Sequence, residues 1–323
     1  MKIHLFPMLL VSAKFFRSVT TNWRCNANKF VSSSSLVSVH NEWDPLEEVI
    51  VGLANFATFP SHHDDPHFEA AYGDGDEVAG LSLPHRFSQR MVDETNEDLE
   101  QFADDLRKLN VIVKRPEPID FNGKIKTMDW EVDPFFCYCP RDVNLAIGQT
   151  IIEVPSPMRC RFLEPFSYHK LMYEYLDSGA RWISAPKPRL QASAFDLSRT
   201  NGPTLLSESE IMFDAANILR IGKDIIYLVS DSGNERGARW LQSTLGGDYT
   251  VHPVRDLYHG VHIDTSMVVL RPGLIMLQPG LNREKLPLKM QKWDIIESPA
   301  MNAVDYPQEV PRELPHREAI VLI

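Results

Sequence analysis

One pattern of hydrophobic and polar positions recurs along most of this 323-residue chain after residue 40. Apolar residues at helical spacing lead into a short apolar strand that stops near a proline, where a ladder donor is not needed. The pattern predicts four helices, at residues 87–110, 168–178, 235–245 and, in a shorter form, 286–292. The strands that follow them end near Pro116, Pro186, Pro253 and Pro299.

A second pattern lies between these helices: an acidic residue, an apolar strand, a glycine turn and another apolar strand. It covers residues 142–154, 214–229 and 264–277, and residues 44–52 look like a partial copy. Each repeat is therefore strand, strand, helix, strand, and one such unit cannot bury both faces of its sheet alone. We expect the units to stack around a common axis. An ordinary mixed sheet with crossover helices is the alternative that periodicity leaves open.

The acids of the three complete repeats, Asp142, Asp214 and Asp264, occupy the same position, at the start of the first strand. Radial stacking brings them toward one shared mouth. Carboxylates that accept two parallel hydrogen bonds match a planar guanidinium, so their convergence favours an arginine-like ligand. Taken singly, each aspartate is more often a turn residue that bonds local amides.

His262 lies two residues before Asp264, and side chains two apart on a strand share a face. An aspartate beside a histidine can orient the ring for proton transfer near neutral pH. Such a pair is more often a hydrogen bond at or near the surface, so this motif alone is weak.

Composition excludes several classes of protein. Hydrophobic residues make up 43% and charged residues 24%, which is ordinary globular usage rather than disorder or a fibrous repeat. The formal charge of -11 has the wrong sign for a nucleic-acid partner. Four cysteines without a C-x-x-C pair predict neither a disulfide framework nor a zinc site.

Other polar motifs predict no cofactor. We interpret the histidines and aspartates of residues 62–67 as a solvated loop rather than a metal site. The glycines of residues 73–76 lack a P-loop lysine, and residues 230–233 are expected to cap the helix after them.

The first 41 residues carry +5 and the remainder -16, so residues 1–38 are predicted to be a basic leader. Its serine-rich, acid-free composition favours a mitochondrial presequence, although residues 5–13 also fit a secretory signal and an untargeted, cytoplasmic leader is a third option. The longest stretch without charge near the start, residues 3–13, is about half of the ~20 residues that cross a bilayer.

Five motifs, in order between residues 39 and 300, resemble the amidinotransferases, a family that includes the glycine and the inosamine-phosphate enzymes. They are NEWDPLEEVIVG at 41–52, PRD at 140–142, APKP at 185–188, FDAA at 213–216 and HID at 262–264. Residues 213–245 look closer to the inosamine-phosphate branch, and the leader is more like the mitochondrial glycine enzyme. Residues 301–323 match neither and are predicted to form an atypical tail.

The resemblance implies a pentein-type α/β propeller: five ββαβ modules around a pseudo-fivefold axis, with a central active site. It implies ping-pong transfer of the amidino group of L-arginine to an amine, through an amidino-cysteine, with no cofactor. Asp214 and His262 match the catalytic acid and base, and Asp142 and Asp264 match carboxylates that hold the guanidinium. Glycine is the favoured acceptor, giving guanidinoacetate and ornithine as in creatine-type biosynthesis.

The sequence also departs from the family. The family's nucleophilic cysteine follows a fifth module in a GGGFHC context that this sequence lacks, so we expect that module to be largely missing and the chain to be inactive as written. Cys139 is a poor substitute, because the adjacent Asp142 raises a thiol pKa. A family arginine aligns with Leu281, and Arg283 could replace it as a substrate-binding residue only if the loop shifts.

Two other functions stay open at this point: a non-catalytic arginine-binding or regulatory partner of full-length subunits, and an arginine-deiminase-like hydrolase. The expected partners are small molecules, L-arginine and an acceptor amine. A homodimer is compatible with the sequence, and association with a membrane surface is left undecided.

Overall fold

The computed structural model describes residues 37–72, 77–78, 81–82, 85–198, 204–257 and 261–298. The predicted leader, apart from its last two residues, the tail at 301–323 and the glycine turn at 73–76 lie outside these ranges. Within them, no helix is long and apolar enough to cross a membrane.

Short strands dominate the described part of the chain: β1 (Glu48–Ile50), β2 (Thr58–Phe59), β3 (Glu77–Val78), β4 (Leu81–Ser82), β5 (His85–Arg86), β6 (Ile112–Lys114), β7 (Ile125–Lys126), β8 (Glu131–Val132), β9 (Asn144–Ile147), β10 (Thr150–Glu153), β11 (Arg181–Ser184), β12 (Ile218–Ile221), β13 (Asp224–Leu228), β14 (Thr250–Val254), β15 (Met267–Arg271), β16 (Leu274–Leu277) and β17 (Asp294–Glu297). The α-helices are α1 (Pro66–Tyr72), α2 (Gln89–Lys108), α3 (Pro140–Val143), α4 (His169–Asp177) and α5 (Glu235–Leu245).

Three modules repeat one topology. Module 1 contains β9, β10, α4 and β11; module 2 contains β12, β13, α5 and β14; module 3 contains β15, β16 and β17. In each, the first two strands are antiparallel and the third pairs in parallel with the second. A glycine at positive φ turns each hairpin: Gly148, Gly222 and Gly273. The predicted order of strand, strand, helix, strand is confirmed for modules 1 and 2.

The N-terminal unit is shorter. Strand β1 pairs in parallel with β6, and the amphipathic helix α2 connects them. Ser88 caps α2 by accepting a hydrogen bond from the backbone N–H of Met91, and the helix buries Met91, Val92 and Ala103. The partial copy predicted at residues 44–52 therefore becomes a two-stranded parallel pair with its crossover helix.

The helix predicted at 286–292 is wrong. Module 3 has two 3-10 turns in its place, Arg283–Lys285 and Met290–Lys292. Pro287 explains the difference, because a proline lacks the helix-forming N–H and disfavours helical backbone at the residue before it, Leu286.

Neighbouring modules share their apolar cores. Leu145 and Ile152 of module 1 pack in one buried cluster with Ile218 and Ile225 of module 2. The opposite face of module 2 packs in a second cluster with module 3, through residues such as Ile226, Val269 and Ile275. The three-stranded sheets stay separate rather than forming one continuous sheet, so the mixed-sheet alternative is excluded.

A short segment before β1, which we call the strap (residues 39–42), crosses from module 1 to module 2. Val39 bridges to Gly148, and Asn41 bridges to Ile221. The Glu42 carboxylate accepts hydrogen bonds from the backbone N–H and the guanidinium of Arg220. Burial alone would raise the pKa of Glu42, but its attraction to Arg220 outweighs burial and lowers it.

Gly52, two residues after the end of β1, gives the first testable prediction. A Cβ at this position would lie 2.2–2.3 Å from backbone atoms of Tyr138, which cannot move without displacing the chain before α3. We expect Gly52→Ala to lower the free energy of unfolding by about 3 kcal/mol, measured by urea denaturation. Gly247→Ala is the matched control, because nothing lies within 4 Å of its added Cβ. Equal effects of the two substitutions would contradict the steric explanation.

Candidate active site

A short helical turn precedes the first strand of every module. These three hub turns are α3 before β9, the 3-10 turn Ala215–Asn217 before β12 and the 3-10 turn Ile263–Thr265 before β15. The second turn packs against both of the others, which places it at the centre of the hub.

The hub turns carry the predicted acids. Asp142 lies within α3, Asp214 immediately precedes the second turn, and Asp264 lies in the third. Their equivalent positions follow from the repeat, but they stand on helical turns rather than at strand starts. His262 likewise precedes a turn, so the argument that strand alternation aligns it with Asp264 is wrong.

His262 lies between two of these carboxylates. Its Nε2 is 3.0 Å from Oδ2 of the fully buried Asp214, and its Nδ1 is 4.0 Å from Oδ1 of Asp142. Burial by itself would lower the pKa of His262, but the charges of Asp142, Asp214 and Asp264 outweigh it and raise the pKa to about 9. The hydrogen bond from His262 helps to hold the pKa of Asp214 below its ordinary value despite burial. At neutral pH this site therefore presents a protonated imidazole beside an ionised carboxylate.

Asp264 forms an ion pair with Arg141, the middle residue of the PRD motif. The Arg141 guanidinium has its Nε 3.4 Å from Asp264 Oδ2 and donates to the carbonyls of Ala215 at 2.9 Å and Ile218 at 2.6 Å. Burial raises the pKa of Asp264, and the charges of Arg141 and His262 partly offset this. Arg141 thus ties the first hub turn to the second and third.

A second internal arginine holds Asp142. Arg161 Nη1 is 2.5 Å from Asp142 Oδ2, while its Nε and Nη2 bind both oxygens of the buried Glu164 at 2.5 and 2.9 Å. The guanidinium also lies 5.3 Å from the centre of the Phe136 ring. Burial raises the pKa of Glu164 to about 7, against the opposing effect of Arg161. No motif in the sequence indicated that Arg161 and Glu164 belong to the site.

The expectation that residues 230–233 cap the next helix is wrong, because Asn234 is the cap of α5. Ser230 and Ser232 instead both donate to the Val261 carbonyl, at 2.5 and 2.7 Å. The Ser232 hydroxyl also lies 2.7 Å from Oδ1 of Asn217, so its single proton is shared between this oxygen and the Val261 carbonyl. These hydroxyls fix the backbone immediately before His262, a role that no local pattern signalled.

Arg283 is not among the residues gathered at the hub turns. Its guanidinium donates to the backbone carbonyls of Gln291 and of Trp293, the latter at 2.8 Å. These bonds close the two 3-10 turns of module 3 onto each other. Its assignment to substrate binding stays a prediction.

The described cysteines are poor nucleophiles. Burial, with a further contribution from Glu164, raises the pKa of Cys137 to about 12. Burial also raises the pKa of Cys139 and Cys160 well above the ordinary value, and the charge of Asp142 adds to the effect at Cys139. All three thiols are protonated at neutral pH.

The solvated loop expected at residues 62–67 is wrong for Asp65 and His67, which are buried. Asp65 accepts hydrogen bonds from the backbone N–H groups of His67, Phe68 and Cys160, so it organises the start of α1. Among the residues that the structure describes, no group of three or more His, Cys, Asp or Glu side chains is placed so that it could hold a metal ion.

Known proteins that are similar in sequence to this chain include amidinotransferases. The chain is 49% identical over 279 residues to inosamine-phosphate amidinotransferase 1 of Streptomyces griseus, covering 86% of this chain and 80% of that one. It is 34% identical over 281 residues to the mitochondrial glycine amidinotransferase of Gallus gallus, covering 81% and 65%. No protein-family model matches the chain.

A solved structure of the inosamine-phosphate amidinotransferase from Streptomyces griseus superposes on this fold with a TM-score of 0.76 and 48% identity, over 82% of this chain and 76% of that one. The stacked modules thus form the pentein-type α/β fold that the sequence motifs imply. Because sequence and fold agree over four fifths of the chain, the protein belongs to the amidinotransferase family.

Proposed function

We propose that the hub site binds the guanidinium group of L-arginine as the amidino donor. The observation that carries this proposal is the convergence of Asp142, Asp214 and Asp264 on His262, from three separate modules. A site with several carboxylates and one imidazole suits a flat cation that must also exchange a proton.

The proposed roles follow from the charges. Asp142 and Asp264 accept hydrogen bonds from N–H groups on two edges of the planar guanidinium. His262, protonated at neutral pH, gives its proton to the ornithine nitrogen as the bond from that nitrogen to the amidino carbon breaks and the amidino carbon bonds to the cysteine sulfur that the family resemblance implies. The neutral ring then takes a proton from the incoming amine as its nitrogen bonds to the amidino carbon and the carbon–sulfur bond breaks, while ionised Asp214 keeps the ring oriented. The covalent cysteine belongs to the family resemblance, and the protonated thiols described above do not suit that role.

For the acceptor, we infer an amine of the inosamine-phosphate kind in preference to glycine. The support is the higher identity to the inosamine-phosphate enzyme, 49%, than to the glycine enzyme, 34%. A mitochondrial location stays a proposal that rests on the basic leader, since relatives at 45–49% identity come from Streptomyces.

Titration calorimetry tests the donor. We expect saturable heat with L-arginine and affinity about 100-fold weaker for citrulline, because a neutral ureido oxygen faces carboxylates instead of an N–H donor. Asp264→Asn should weaken arginine binding, while the control Asp224→Asn, which removes the charge paired with His252, should not, because that pair is about one third exposed. Equal affinities for arginine and citrulline would contradict guanidinium recognition.

An ornithine assay in the same samples tests the amidino transfer and the identity of the acceptor. Ornithine that forms only when an aminocyclitol phosphate is supplied supports the inferred acceptor, and ornithine formed with glycine alone contradicts it. Arginine binding without ornithine from any acceptor favours the non-catalytic binder, the second candidate that the protonated thiols support.

A further inference from the structure

Asp142 has its two oxygens divided between two cations. Oδ2 lies 2.5 Å from Nη1 of Arg161, and Oδ1 lies 4.0 Å from Nδ1 of His262. The second distance is too long for a hydrogen bond, although an ionised carboxylate and a protonated imidazole attract each other. A small rotation of Asp142 would close this gap.

Arg161 itself is firmly placed. It is 3% exposed, and Glu164 grips its Nε and Nη2 through both carboxylate oxygens. One edge of its guanidinium is thus used for anchoring, which leaves Nη1 directed at Asp142. A buried arginine with this fork geometry sets direction as well as charge.

We propose that Arg161 is a positioning residue that holds Asp142 away from His262, so that the Asp142 oxygen nearest the imidazole remains available to the substrate guanidinium. The inference rests on the proposed function for what binds there. Without Arg161, Asp142 would rotate toward the imidazole and pair with His262. One of the two carboxylates proposed to hold the guanidinium would then no longer be available to the substrate.

Lysine cannot replace Arg161 in this role. A lysine ammonium is a point donor on a flexible stem, so it cannot grip two oxygens of Glu164 and direct a third donor at Asp142. Arg161→Lys therefore keeps the buried positive charge and removes only its direction.

Arg159 provides a matched control. It lies on the same 3-10 turn and is also buried, but its guanidinium donates to the backbone carbonyls of Leu190 and Asp64 rather than to Asp142 or Glu164. Arg159→Lys measures what any lost buried guanidinium does to the fold and to the site.

The experiment compares Arg161→Lys with Arg159→Lys by thermal unfolding, by calorimetry with arginine and by NMR titration of His262. We expect Arg161→Lys to weaken arginine binding about tenfold and to raise the pKa of His262, as Asp142 closes on the ring, with little change in Arg159→Lys. A merely structural role would loosen the site and lower that pKa toward its ordinary value. Unchanged affinity and pKa, or a lowered pKa, in Arg161→Lys overturns the proposal.

The titration readout separates this proposal from the proposed function. If the unmodified protein does not bind arginine, the proposed function fails, yet the His262 titration still decides whether Arg161 restrains Asp142. If Arg161→Lys does not fold, the double variant Arg161→Gln, Glu164→Gln replaces the Arg161–Glu164 ion pair by an amide pair, so that Glu164 is not left as an unpaired buried charge while Asp142 loses its arginine partner. A pKa of His262 that does not rise in that variant also overturns the proposal.

Discussion

Asparagine in place of Asp214 is expected to lower the pKa of His262 by about two units, from about 9 toward its ordinary value. Asp214 is fully buried and is the hydrogen-bond partner of the imidazole at 3.0 Å. Once its charge is gone, burial of the ring, which favours the neutral form, is opposed only by Asp142 and Asp264. The ring would then be largely neutral at pH 8, and proton donation to a leaving amine would be lost.

Long-range proton–nitrogen NMR of the imidazole measures this shift. The control is Asp224→Asn, because Asp224 and His252 form a similar pair at 2.8 Å in which each side chain is about one third exposed. That substitution should leave His262 unchanged. A His262 pKa near 9 in Asp214→Asn would show that Asp142 and Asp264 are sufficient to charge the ring.

The protonated state of His262 also makes stability depend on pH. The pKa is raised on folding, so the stabilisation is fully present below the unfolded value near 6.5 and is lost as pH rises through about 9. A shift of this size corresponds to about 3 kcal/mol between those limits. We therefore expect the free energy of unfolding to fall by about that amount between pH 6 and pH 10, beyond the change caused by other groups.

Urea denaturation of the unmodified protein and of His262→Gln, measured in parallel over this range, isolates the contribution. The difference between the two proteins should shrink steadily as pH rises. Glu164 acts in a lower window, between its ordinary pKa and about 7, and it is common to both proteins. Two curves that stay parallel from pH 6 to pH 10 would contradict the coupling.

The repeated sequence pattern and the equivalent positions of its residues made most of the fold predictable. The repeat of acid, strand, glycine turn and strand predicted the hairpins of all three modules, because positive φ at Gly148, Gly222 and Gly273 is a local requirement that the sequence displays. The same repeat predicted that Asp142, Asp214 and Asp264 would converge, and Asp142 and Asp214 lie on either side of His262. Apolar spacing predicts a helix at 286–292, but Pro287 prevents it and two 3-10 turns form instead.

Buried charge was the part that could not be predicted. Arg161 and Glu164 are three residues apart and resemble an exposed helical pair, and only the packing of three turns shows that both are enclosed. The local sequence around Ser232 is typical of a helix cap, but its hydroxyl contacts the Val261 carbonyl, which is 29 residues away in sequence. Contacts between residues that are far apart in sequence produce no local or periodic pattern from which they could be predicted.

The strap described above limits how far the amino terminus can be trimmed. Val39 and Asn41 form backbone bridges to two different modules, and Glu42 neutralises the partly buried Arg220 between them. Truncation or proteolysis that removes residues 39–42 is expected to break both backbone bridges to modules 1 and 2. It would also leave Arg220 without the Glu42 carboxylate. Residues 39–42 are therefore part of the folded structure and not of the predicted leader.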